Sequence, residues 1–215
     1  MAYTTIDDPS AYLQVKTFTG DGNTSRSLTF DGNSDLKPTI MWTNKRSGGG
    51  NYGSIMAMSH PGLTDHDTTG YKGLDGAWIR VGGKYWTNDS NRHVSSFNTD
   101  GFTVSDDDEV NDTGDTYVAW NWDMGANTPT GFGCVSFKGN ASANRVVTGV
   151  GFSPDLVWIK NRVNGGYWGS IFDTARGPED VLYPNSTAAG STVATSLTSF
   201  DADGFTMGAQ VGTNT

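Results

Sequence analysis

A single cysteine, Cys134, stands in 215 residues, so no disulfide can form within the chain. The fold therefore need not depend on an oxidising compartment. In FGCVSF that cysteine is expected to be a buried, inert thiol. No run approaches the roughly 18 consecutive apolar residues that a membrane-spanning helix needs. The opening MAYTTIDDPSAYLQV has neither the basic start nor the apolar centre of a secretory leader, so synthesis and folding in cytoplasm are expected. Charge is scarce at 17% and its balance is acidic, −9 at neutral pH. An acidic surface repels phosphate backbones and argues against a nucleic-acid partner. Helical periodicity is weak throughout. No GxSxG, no phosphate-binding glycine loop and no paired zinc spacing occurs.

What the chain does have is aromatics and glycine: seven Trp, eight Tyr, ten Phe and 29 Gly. Aromatics this dense need a core, and the accompanying Thr, Ser, Asn and Asp suit short strands joined by many turns. The order of the text shows how they are arranged. GGNYGSI at 49–55 returns as GGYWGSI at 165–171, and around it Pro38–Trp42 aligns with Pro154–Trp158 and Arg46 with Arg162, all at a spacing of 116. Further on, SFNTDGFTV (96–104) aligns with SFDADGFTM (199–207) at 103, so the first copy is longer by 13 residues between these blocks. Upstream, Phe18-Thr19-Gly20 aligns with Phe137-Lys138-Gly139. Three blocks in one order mark an internal duplication.

Each copy reads as β. Ile40 and Trp42 alternate with Met41 and Thr43, and Leu156 and Trp158 with Val157 and Ile159. Val118, Trp120 and Trp122 share one face of TYVAWNW. The pattern predicts an all-β fold of tandem β-sandwich domains, jelly-roll or concanavalin-like, from the duplication. Residues 1–126 form the first, with an inserted hairpin near 71–90 around Gly82-Gly83, and residues 130–215 the second. A short linker over 124–131 should hold them close together. Trp42 with Trp158 and Phe102 with Phe205 are the expected core aromatics. The second copy stops before any counterpart of GDTYVAWNW. A sandwich without its last strand has an open edge, filled either by a longer chain or by a partner.

KPTIMWTNKR, PDLVWIKNR, FDTARG, LYPNST, DGFT and GDTYVAWNW together resemble a repeat of structural proteins in tailed bacteriophages of the marine type. The resemblance covers nearly the whole chain, and the opening residues also look like the start of such proteins. It implies a noncatalytic, virion-associated β module in a tail fibre or similar surface appendage, made in the host cytoplasm. It also implies self-association in three-fold or higher cyclic arrangements and docking to other virion proteins. A head-decoration or collar position is the variant reading.

Converging titratable groups are few. Asp65-His66-Asp67 offers metal-ligand types with no third or fourth ligand fixed by spacing, and the remaining histidines are His60 and His93. Asp106-Asp107-Asp108-Glu109 has oxygen ligands suited to calcium, with Asp106, Asp107 and Asp108 the weak candidates. The second copy has Gly208-Ala209-Gln210 there, so an exposed, solvated loop is expected and no metal or other cofactor. Tyr71, Tyr85 and Trp86, with the Tyr52/Trp168 pair, could stack on sugar rings of a host-surface glycan; the plainer expectation is packing at an interface. A hydrolase would need two carboxylates at a working separation, and none is evident.

Overall fold

The computed structural model describes residues 7–47, 55–58, 78–80, 93–123, 131–135, 137–161, 169–184 and 186–214. These fall into two compact units, one ending at 123 and the other beginning at 131. The linker expected over 124–131 is thus largely outside the described residues. So is most of the hairpin expected over 71–90.

The chain is all-β, with every described pairing antiparallel. The first unit contains β1 (Leu13–Thr19), β2 (Arg26–Leu28), β3 (Ile40–Lys45), β4 (Ile55–Met58), β5 (Trp78–Arg80), β6 (Val94–Asn98), β7 (Gly101–Val104) and β8 (Thr116–Trp122). The second contains β9 (Arg145–Thr148), β10 (Leu156–Ile159), β11 (Ser170–Asp173), β12 (Gly177–Leu182), β13 (Ser191–Thr192), β14 (Leu197–Asp201) and β15 (Gly204–Met207). The only helix among the described residues is a 3-10 turn, Pro9–Ala11, started by Asp8, whose carboxylate accepts from the Ser10 N–H.

In the first unit a sheet of order β1-β8-β3-β4-β5 and a sheet of order β2-β7-β6 share one core. Phe18, Met41, Tyr117 and Ala119 come from the larger sheet, and Leu28, Val94, Phe102 and Val104 from the smaller. Phe18 stacks on Tyr117 at 5.2 Å and meets Phe102 edge-on at 6.1 Å.

The second unit repeats this plan. Its smaller sheet, β14-β15-β9, has the order, the register and the bulge of β6-β7-β2. The turn residues repeat as well. Gly101 and Gly204 both have positive φ, and a Cβ on either would lie 1.9 and 2.0 Å from the carbonyl oxygens of Leu28 and Val147, respectively. Only glycine fits there. Asn111 and Asn214, both fully buried, clip the same loop. Asn111 Nδ2 donates to the Asn23 carbonyl at 3.1 Å and Asn214 Nδ2 to the Ser142 carbonyl at 2.8 Å. The Asp21 and Asn140 backbone N–H groups donate back to the two Asn side chains. One detail differs. Asn140 replaces Asp21, the ion-pair partner of Arg26, and the buried Arg145 Nε makes no hydrogen bond among the described residues.

Three expectations are corrected. Phe102 and Phe205 are core residues, 0% and 4% exposed, but Trp42 and Trp158 are only half-buried. Met41 and Thr43 face the first core, and Val157 and Ile159 are the buried residues of β10. The alternation holds, and the tryptophans lie on the side away from the core. The GSI strands also pair differently. Met41 sits opposite Ala57, whereas Val157 sits opposite Phe172, one residue off the spacing of 116. A one-residue shift reverses which side chains face inward, and it brings Ala57 and Phe172 to equivalent buried places. Cys134 is half-buried rather than buried.

Candidate functional site

The most concentrated chemistry in the described residues lies where the first unit's chain reverses between β7 and β8. Ser105 leaves β7 with its N–H on the His93 carbonyl at 3.2 Å. Its hydroxyl receives the Asp107 N–H at 3.2 Å, and Asp107 Oδ1 accepts from the Glu109 N–H at 2.8 Å. The Asp107 carbonyl then takes the N–H groups of Val110 and Asn111. This tight reversal points Asp107 and Glu109 inward and leaves Asp106 and Asp108 in solvent. The acidic run is therefore not the uniformly solvated loop expected; it alternates.

His93, just before β6, receives both inward carboxylates. Its Nδ1 lies 2.9 Å from Asp107 Oδ1 and its Nε2 lies 3.7 Å from Glu109 Oε2. The three residues are 0%, 7% and 4% exposed. Donor atoms of all three come within 4.8 Å of one another, and their types suit a divalent cation. However, each carboxylate faces a different ring nitrogen. The present geometry sets an imidazole between two carboxylates, and one ion would have to draw both to the same nitrogen. The trio is also closed to a substrate, since no member reaches the surface. Of the sequence candidates, Asp107 is in this cluster and Asp106 and Asp108 are not. Glu109 belongs to the acidic run read in the sequence and His93 to its histidines, and nothing in the spacing joins the two. His60, Asp65, His66, Asp67, Tyr71, Tyr85, Trp86, Tyr52 and Trp168 lie outside the described residues.

The second unit builds the same reversal without charge. Ser196 stands for His93, Gln210 for Asp107 and Gly212 for Glu109. The Gly208 N–H donates to the Ser196 carbonyl, and the Gln210 carbonyl accepts from Thr213 and Asn214 as Asp107 does from Val110 and Asn111. The cluster is thus an addition to the shared frame, and the turn forms without it.

Nearby, Tyr117 and Lys45 hold the approach to β8. The buried Tyr117 hydroxyl donates to the Asp108 carbonyl at 2.9 Å and accepts from the Asp112 N–H at 2.8 Å. Lys45 pairs with Asp112 at 3.2 Å and, more closely, with Asp115. Burial alone would lower the Lys45 ammonium, but the hydrogen bonds to Asp115 and Asp112 outweigh it and raise it above its ordinary value.

A second feature is the outer face of the larger sheet. Leu13 and Val15 are 42% and 52% exposed. They lie cross-strand from Trp122 and Trp120, and Trp120 lies cross-strand from Trp42, with the two indoles tilted 45° at 5.3 Å. The three tryptophans are half-buried.

No curated protein and no solved structure matches the chain. One family model matches it twice, over residues 8–132 and 129–215, in step with the two copies. The chain belongs to that family, described as a domain of unknown function, DUF7483.

Proposed function

We propose that this chain is a noncatalytic structural module of a tailed-phage virion, in a tail fibre or similar surface appendage, which self-associates and docks to other virion proteins. Each copy is taken to be a β-sandwich of the jelly-roll or concanavalin-like kind, since two sheets share one core in the first unit. The observation that carries the reading is the outer sheet face, where Leu13 and Val15 are exposed beside half-buried tryptophans. Apolar surface rich in Trp is the composition of interface centres. The resemblance to phage repeats supplies the virion setting. The buried His93 cluster fits a structural part, because its carboxylates bind inward and not to solvent.

Mass measurement across a concentration series tests this. A concentration-dependent oligomer is expected, weakened about tenfold or more by Val15→Asp, the order of one lost apolar contact. A chain that stays monomeric throughout and has no affinity for virion proteins overturns it. A second reading, recognition of a host-surface glycan, draws on the Trp42–Trp120 pair, whose tilted faces are of the kind that stack on sugar rings. A glycan array with a saturable signal, lost in Trp120→Ala or Trp86→Ala, would favour it.

A further inference from the structure

Both units place an arginine at the same point of the smaller sheet. Arg26 begins β2 opposite Val104, and Arg145 begins β9 opposite Met207. In the first unit the guanidinium is fully engaged. Its Nη1 donates to the Thr19 carbonyl and, at 3.2 Å, to Asn111 Oδ1. Its Nε lies 3.4 Å from Asp21 Oδ2, and its centre stands 5.5 Å from the middle of the Phe18 ring. In the second unit Arg145 Nε is equally shut off from solvent, with no hydrogen-bond partner among the described residues.

One substitution accounts for the difference. Asp21 Oδ1 accepts the Asn23 N–H at 3.0 Å, and Oδ2 turns to Arg26. Asn140 keeps the same turn, its Oδ1 accepting the Ser142 N–H at 3.0 Å. The branch left for the arginine is then the amide nitrogen, a donor where the first unit has an acceptor. Two donors cannot satisfy each other, and a buried donor without an acceptor is a costly feature to keep. The wider surroundings change in the same sense. Residues 19–30 and 104–111 hold five carboxylates and one cation, Arg26. The aligned residues 138–149 and 207–214 hold no carboxylate and two cations, Lys138 and Arg145. Lys138 and Asn140 are exposed.

We propose that Arg145, with Asn140 and Lys138, binds the carboxylate of an acidic side chain supplied by a second copy of this chain. The donor is the first unit's reversal, which leaves Asp106 and Asp108 in solvent. That carboxylate gives Arg145 in trans what Asp21 gives Arg26 within the first unit. Charge decides where such copies can meet. Chains carrying −9 repel one another over most of their surface, and a cationic patch free of carboxylates is where an acidic loop is attracted. The contact joins the second unit of one copy to the first unit of the next. It is therefore head-to-tail, the kind that closes into a ring or continues as a filament. The proposal deepens the assembly reading and rests on it for the second copy.

The test follows the mass of the intact chain across concentration and salt. Association should weaken between about 50 and 500 mM salt, as a charged contact does. Arg145→Glu should weaken it about tenfold or more, the order of one lost charge pair. Arg145→Gln should weaken it as well, while slow amide exchange at β15 shows that the unit is still folded. Asp106→Arg with Asp108→Arg should also weaken it, and adding Arg145→Glu to that pair should restore it. Association that is indifferent to both Arg145 substitutions overturns the proposal; if Val15→Asp still weakens it, the assembly reading stands alone. A loss in Arg145→Glu that the reversed pair does not restore also overturns it, in favour of an acidic segment of another protein. A chain that is monomeric at every concentration overturns both readings.

Discussion

At the scale of single residues, the first unit pays for its buried charge through geometry. Asp107 and Glu109 are taken out of water, which is costly for a carboxylate unless it is paired and hydrogen-bonded. His93 faces one with each nitrogen, and the Glu109 N–H satisfies Asp107 further. His93→Ala removes the shared partner and keeps both carboxylates buried. Breaking a buried pair in this way costs about 3–5 kcal/mol. Ser196→Ala at the aligned position removes one neutral hydrogen bond, to the Val193 carbonyl, and should cost about 1 kcal/mol. Chemical denaturation of both variants measures the contrast. Equal losses would mean that the cluster is not a structural clasp.

At the scale of elements, β8 is held at its start by side chains as well as by its ladders. The hydrogen bond from Lys45 holds the Asp115 carboxyl below its ordinary value, against the opposing effect of burial. A carboxylate lowered in the folded state adds stability above its unfolded pKa of about 3.9. That contribution is lost as pH falls through the still lower folded value. Lys45 is raised, so its contribution is complete below its unfolded pKa of about 10.4 and is lost only at higher pH. The stability difference between the wild type and Lys45→Met should therefore be flat from about pH 5 to 9 and shrink in acid. Denaturant midpoints across that range check this. A difference that changes between pH 6 and 8 would point to another group.

Much of the element plan was legible. Period-two alternation located β3, β8 and β10, and the repeated DGF text located the β6–β7 and β14–β15 turns, with Gly101 and Gly204 at the positions only glycine tolerates. Alternation says which residues share a face; it does not say which face is inside. Alternation alone therefore points Trp42 and Trp158 to the core, where the fold places Met41, Thr43, Val157 and Ile159. The His93 cluster was hidden because its members approach through a chain reversal and not through spacing. A signal did exist. At three aligned positions the copies differ together, His93, Asp107 and Glu109 against Ser196, Gln210 and Gly212. Such a joint change is what residues in contact would show.

At the scale of the whole molecule, one design is written twice, with local differences between the copies. The first has His93, Asp107 and Glu109 under its reversal, where the second has Ser196, Gln210 and Gly212. The smaller sheets and Asn clips are equivalent, so their stabilities should be alike. Among the described residues, β1 and β3 are joined by the central strand β8. Native-state amide exchange along the full chain separates these statements most directly. Matching slow exchange is predicted for β7 and β15, the central strands of the two smaller sheets. Unlike protection of β7 and β15 would contradict the account.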